Sequence, residues 1–339
     1  MIRIAFAATM VRRPARVPPD MNEHHPPILL VLGTTASGKS ELSLQLAERL
    51  PSGGEIVSAD SMQVWRGLDI GTAKPSAEDR ACTPHHLIDL VDPHDLESRF
   101  NVAEWLAAAE STIAAIETRG RVPIVVGGTH LYVQALLAGL FEGPSADPAL
   151  RRAIEREPTE SLREELARVD PASAARIHTA DRRRTLRAVE VFRATGRPIS
   201  QWQAQWESEG TALSRRIRIV AIDRPLDVAN ARINRRTKAM IEAGWLEEVR
   251  GLVEAGPLHR QAAEAVGYRQ LAEVLAGRMR LADAVEEIKI RTRRYAKQQR
   301  TWLKRFRARP GSILVEAGDA PATDRLPEIV ARLEQAPLG

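Results

Sequence analysis

The octapeptide Gly33-Thr34-Thr35-Ala36-Ser37-Gly38-Lys39-Ser40 has the spacing G-x-x-x-x-G-K-[ST], which builds a cradle for phosphate oxygens. Backbone N–H groups and the dipole of the following helix face the anion, Lys39 adds a point charge, and the Ser40 hydroxyl can ligate Mg²⁺. Asp60 supplies a carboxylate that can take a proton from an incoming nucleophile or help hold the metal, although a helix-cap or turn role explains an isolated Asp equally well. Thr129 follows Gly127 and Gly128, where its hydroxyl can orient an acceptor beside Asp60, cap the next helix, or both. In Arg232-Ile233-Asn234-Arg235-Arg236, helical spacing puts Arg232 and Arg236 on one face, as anion contacts or as a solvated basic face.

These residues need a scaffold that gathers them. Ile28 to Leu32 is a short continuous apolar run, as expected for a parallel strand buried on both faces, and residues 41–50 follow with helical spacing. Further strands are predicted at 55–58, ending at Asp60, at 122–126, ending at Gly127 and Gly128, and at 216–222. An amphipathic helix is predicted over 102–118. The alternation argues for an α/β fold: a P-loop NTPase-like parallel sheet flanked by helices, with ligands at the C-terminal edge of its strands. Prolines punctuate an all-helical stretch, read as an insertion domain over 142–208 within a core of 26–141 and 209–330. Helices are predicted at 228–243, 245–255 and 282–307, giving a helical C-terminal region.

The bulk numbers narrow the partners. A chain of 339 residues can bury a real core, and 44% hydrophobic with 27% charged residues is ordinary globular composition. No apolar run is long enough to cross a bilayer, so no membrane partner is expected. The single cysteine, Cys82, excludes an internal disulfide framework and fits a reducing compartment, read as the cytoplasm. The net charge of +5 is modest, but ten Lys or Arg and no acid fall between Lys289 and Arg309, interleaved with Tyr295, Trp302 and Phe306. Arg182, Arg183, Arg184 and Arg187 make a second cluster. Such runs favour a polyanion, with RNA the leading candidate. Residues 1–25 look unlike the rest and read as a disordered, dispensable tail or an early start ahead of Met21. A monomer is expected.

Most loops of this type hold ATP or GTP, and a P-loop kinase with Asp60 as base is one reading. The strand at 122–126, however, runs into Gly-Gly-Thr where a typical NTPase keeps a metal-binding Asp. Around the loop lie Asp60-Ser61-Met62-Gln63-Val64-Trp65, Asp69-Ile70-Gly71-Thr72-Ala73-Lys74-Pro75 and Pro84-His85-His86. Farther on come Gly127-Gly128-Thr129-His130, Arg183-Arg184-Thr185-Leu186-Arg187, Gly244-Trp245, Val266-Gly267-Tyr268-Arg269 and Thr292-Arg293-Arg294-Tyr295-Ala296-Lys297-Gln298-Gln299. In this order, over about residues 27–306, the sequence resembles the tRNA dimethylallyltransferases.

The resemblance implies transfer of a dimethylallyl group from dimethylallyl diphosphate to N6 of the adenosine just 3′ of the anticodon, with Mg²⁺ and without ATP hydrolysis. It makes Gly33 to Ser40 the diphosphate site, with Ser40 at the metal. Asp60, Thr129 and Lys39 become catalytic, joined by Arg232 as the favoured diphosphate contact with Arg236 close behind. The implied partner is a tRNA anticodon stem-loop, held by Asp60, Ser61, Met62, Gln63, Thr129, Arg151, Arg183, Arg184, Arg187, Gly267, Tyr268, Arg269, Arg293 and Lys297. Two departures stand out. Trp65 replaces the family's frequent tyrosine and is expected to keep a flat aromatic surface, and His130 stands where a small residue is common. His85, His86 and His130 lack a convincing metal-ligand set and read as ordinary hydrogen-bonded histidines.

Overall fold

A computed structural model describes residues 27–98, 100–140, 147–206 and 213–335; the tail expected over 1–25 lies outside them. Its first half runs β1 (Ile28–Gly33), α1 (Lys39–Arg49), β2 (Gly54–Ala59), α2 (Ala77–Cys82), β3 (His85–His86), α3 (Val102–Thr118), β4 (Val122–Gly127) and α4 (His130–Ala138). Five helices follow: α5 (Pro148–Glu155), α6 (Thr159–Val169), α7 (Pro171–Arg176), α8 (Arg182–Thr195) and α9 (Ile199–Trp206). The chain then returns through β5 (Ile217–Asp223) into α10 (Leu226–Glu242), α11 (Trp245–Ala255), α12 (Arg260–Ala263), α13 (Tyr268–Leu275) and α14 (Leu281–Arg307). It closes with β6 (Ile313–Glu316) and α15 (Leu326–Gln335).

The six strands form one parallel sheet in the order β3-β2-β4-β1-β5-β6. Period-two alternation explains why β1 reads as an unbroken apolar run. Ile28, Leu30 and Leu32 face a layer containing Trp105 and Ile113 of α3, Leu136 of α4 and Phe306 of α14. Leu29 and Val31 face Leu42 and Leu46 of α1 and Leu326 and Ile329 at the start of α15. The strand order also places the ends of β2, β4 and β1 side by side, so Asp60, the Gly-Gly-Thr turn and the phosphate loop emerge as neighbours.

The expected strands and long helices are present, with ends shifted by a residue or two where capping decides. Sequence reading missed β3, which is two residues long, and β6, a four-residue edge strand bounded by Gly311 and Gly318. Two further cores sit away from the sheet. One, around Trp65, Leu68, Trp245, Tyr268, Leu271 and Ile288, lies under the turn that follows Asp60. The other, around Ile154, Leu162, Leu166, Leu186, Val189 and Ile199, is built from α5, α6, α8 and α9, with Ala174 of α7 packed against it. Helices of that length cannot bury a face singly, so they pack on one another. Among the described residues, no helix is long and apolar enough to cross a membrane.

Candidate active site

The phosphate loop is held in shape from outside. Gly38 caps α1 at φ +95°, a left-handed conformation that suits glycine. Ala36 also has positive φ (+61°), costly for a residue with a Cβ. Its carbonyl is pinned by Arg232 Nε at 2.9 Å, and the next carbonyl, that of Ser37, by Arg224 Nε at 2.8 Å. Arg224 in turn spends Nη1 on the carbonyls of Gly318 (2.6 Å) and Ala320 (2.8 Å), and is 3% exposed. Two cationic side chains thus tether the loop's carbonyls, and sequence reading had no local signal for Arg224.

Inside the loop, Lys39, Ser40, Thr35, Asp60 and Arg236 line one cavity of about 580 Å³. Arg236 Nη1 approaches Thr35 Oγ1 at 3.4 Å, whereas Arg232 is committed to the loop's outer side and does not line the cavity. The expectation put Arg232 first, but of the shared helix face Arg236 is the residue that lines the cavity. Burial lowers its pKa, partly offset by the charge of Asp60.

Lys39 is pushed down to about 8 by burial first and by Arg236 second, against a smaller upward pull from Asp60. The free protein therefore loses this cation as pH rises through about 8. A bound diphosphate would restore it. Affinity for a diphosphate monoester is expected to fall roughly tenfold per pH unit above that point. Lys39→Met should bind more weakly and flatten the dependence, as read by calorimetric titration on either side of pH 8.

Asp60 Oδ1 accepts the N–H of Met62 at 2.9 Å, which anchors the carboxylate in a tight turn. Thr129 starts α4 but its hydroxyl does not cap the helix. It accepts the N–H of Ser61 at 3.0 Å instead, so Thr129 ties the β4 turn to the segment after Asp60. Gln63 bridges the Ser58 hydroxyl (2.8 Å) and the Thr72 carbonyl (3.2 Å), fixing the next loop. Glu248 of α11 accepts the N–H groups of Asp69 (3.1 Å) and Ile70 (2.7 Å). Set in an ordinary charged helix, Glu248 gave no sequence signal. The Ser40 side chain is exposed toward the cavity. Among the described residues no group of three His, Cys, Asp or Glu could hold a metal. One hydroxyl beside a diphosphate fits Mg²⁺, which takes most of its ligands from phosphate oxygens and water.

Several expected contacts lie elsewhere. Trp65 is 1% exposed and stacks on His259 with centroids 4.7 Å apart, so it offers no aromatic surface to a ligand. The same core buries Gly267 and Tyr268, whose hydroxyl donates to Glu248 Oε1 at 2.6 Å, although Tyr268 also lines the cavity; of the 267–269 segment only Arg269 is exposed. In the helical insertion, Arg151 and Arg187 share the buried Glu190 carboxylate at 3.2 and 2.9 Å, and Arg184 pairs with Asp181 at 3.4 Å. Arg183 lines the cavity. Met62 and Ser61 line it too. On α14, Arg293 donates to Asn234 Oδ1 at 3.1 Å, while Lys297 is exposed. His85 and His86 are hydrogen bonded to the Thr83 carbonyl and Glu55. His130 stacks on Trp302 at 3.6 Å; burial, then Arg305 and Arg184, push it down to about 4, so it stays neutral.

A parallel α/β fold with a phosphate loop, a facing carboxylate and an inward arginine defines a group-transfer enzyme of the P-loop type. The comparisons narrow the class. The family described as IPP transferase matches residues 63–306. A tRNA dimethylallyltransferase of Syntrophobacter fumaroxidans is 47% identical over 299 residues, covering 86% of this chain and 84% of its own length. One from Anaeromyxobacter dehalogenans is 44% identical over 309 residues, 90% of this chain and 98% of its own. Among solved structures, the full-length tRNA isopentenylpyrophosphate transferase of Bacillus halodurans superposes with a TM-score of 0.64 at 35% identity, covering 91% of this chain and 97% of its own. A eukaryotic dimethylallyltransferase captured acting on tRNA gives 0.75 at 27% identity, over 90% of this chain and 77% of its own. The chain belongs to the IPP transferase family.

Proposed function

We propose that this protein is a tRNA prenyltransferase that moves a dimethylallyl group from dimethylallyl diphosphate to N6 of the adenosine immediately 3′ of the anticodon. The observation that carries the reading is the shared cavity, in which Asp60 faces the phosphate loop, Lys39 and Arg236. The N6–C bond forms as the allylic C–O bond breaks, the N6 proton passes to Asp60, and pyrophosphate departs. An exocyclic adenine amine is a poor nucleophile because its lone pair is delocalised, so a base beside it helps. The allylic carbon tolerates positive charge, and the barrier lies largely in charge building on the leaving group. Loop N–H groups, Lys39 and Arg236 oppose that charge, with Arg232 and Arg224 holding the loop. Mg²⁺ on Ser40 and the diphosphate would neutralise the same oxygens.

The acceptor must leave its stack to reach Asp60, so the anticodon stem-loop needs a wide grip. Arg294, Lys297 and Lys304 of α14 are exposed and make no ion pair among the described residues. They suit backbone phosphates. We read the insertion over 142–208, with Arg183 and Arg184, as the opposing contact. We take the enzyme to act as a monomer in the cytoplasm. Neutralising Lys297 and Arg294 together should weaken tRNA binding and reduce the log–log salt slope by about two, with the diphosphate KM unchanged. Filter binding across a salt series reads both.

The deciding assay incubates purified protein, Mg²⁺ and radiolabelled dimethylallyl diphosphate with an anticodon stem-loop bearing adenosine after the anticodon. Labelling without ATP is expected. Labelling that requires ATP would favour a kinase-like reading, and equal labelling of free AMP would remove the tRNA from the proposal.

A further inference from the structure

Gln299 sits on α14, the helix with the exposed basic side chains, yet is only 7% exposed. Its carboxamide joins two segments far apart in the chain. Oε1 accepts the backbone N–H of Thr35 at 2.8 Å, and Nε2 donates to the carbonyl of Gly128 at 3.1 Å. The backbone fixes which end is which, since an N–H can only donate and a carbonyl can only accept. One turn earlier on the same face, Tyr295 donates its hydroxyl to the same carbonyl at 3.4 Å. A Cβ at Gly128 would overlap Gln299 Nε2, which accounts for the glycine.

We propose that Gln299 is a positioning residue for prenyl transfer, setting the separation between the diphosphate cradle and the turn that carries Thr129. The inference rests on the proposed function, because those two elements hold the leaving group and the acceptor amine. β1 and β4, which lead into the cradle and the turn, are paired in the sheet, and beyond their ends Gln299 bridges the two segments on the cavity side. Displacement has a steep rate penalty because the reacting atoms must stay close and aligned. Glutamine alone among side chains of this length supplies an acceptor at one end and a donor at the other. Methionine supplies neither, and glutamate keeps the acceptor but loses the donor.

The test uses the full chain with steady-state kinetics, calorimetric titration of dimethylallyl diphosphate and thermal melting. Gln299→Met and Gln299→Glu should each lower kcat roughly thirtyfold, with tRNA affinity within about twofold of the parent protein. Gly128→Ala should lose a similar factor by displacing the carboxamide. Gly128→Ala combined with Gln299→Ala should be no worse than either alone, because both break one bridge. Losses that multiply instead, kcat unchanged in the two Gln299 variants, or an equal fall in tRNA affinity would each overturn the proposal. Should Gln299→Met fail to fold, Gln299→Glu and the cycle carry the same decision. A parent protein that binds the diphosphate but transfers nothing would sink the proposed function, while the variants' diphosphate affinities would still report on Gln299.

Discussion

Asp60→Ala is expected to lower turnover by about three orders of magnitude while leaving tRNA affinity within roughly twofold. The magnitude follows from the chemistry: with no base, the amine attacks while keeping its proton, and positive charge accumulates on an already delocalised nitrogen. The split follows from the geometry, since tRNA affinity is assigned to basic side chains spread over α14 and the insertion, and Asp60 adds none of that charge. Asp60→Asn sharpens the test. The amide oxygen can still accept the Met62 N–H that Oδ1 accepts at 2.9 Å, so the turn survives while the base is gone. Both variants should be equally slow if Asp60 is the base. An asparagine variant within tenfold of the parent would reduce Asp60 to a turn-forming residue, the bland role that an isolated aspartate suggests. Single-turnover labelling under saturating diphosphate separates these cases, because it isolates the chemical step.

The phosphate loop, Asp60 and Thr129 were legible in the sequence for one reason. Each sits where a β-strand ends, and both the apolar strand and the special residues at its end are local patterns. The parallel sheet followed from the same alternation, and strand order then brought the three ends together. What escaped reading depends on contacts between distant segments. Gln299 and Thr35 are 264 positions apart, and neither neighbourhood announces the other. Arg224 and Glu248 are likewise defined by the backbone groups they hold and not by their own surroundings. Trp65 was expected to keep a flat aromatic surface, but an aromatic residue in a diagnostic motif serves equally well as core, and the turn after Asp60 needs a core of its own. The basic runs were legible as charge. Which members face solvent was not, since Arg151 and Arg187 spend theirs on Glu190.

Arg232 and Arg236 share one face of α10 a turn apart, so the choice between them turns on where along the helix the phosphate loop lies, which sequence spacing cannot fix, and it yields the second large prediction. Arg236→Met should lower kcat/KM for the allylic diphosphate by roughly a hundredfold or more, as expected for a donor aimed at developing charge in a water-poor site. Arg232→Met should cost about tenfold and fall mainly on KM, because it frees the strained Ala36 carbonyl without removing a charge from the cavity. The ligand-free state provides an independent readout. Arg236 and Lys39 are like charges in a partly buried site, and each is held below its ordinary pKa chiefly by burial. Removing Arg236 takes away repulsion that a diphosphate would otherwise relieve, so the pH inflection assigned to Lys39 should move above 8. Arg232→Met should leave that inflection near 8, because burial, Arg236 and Asp60 are what set it. If Arg232→Met instead shows the larger kinetic loss and the shifted inflection, the inward role belongs to Arg232 and the leaving group lies on the other side of the loop.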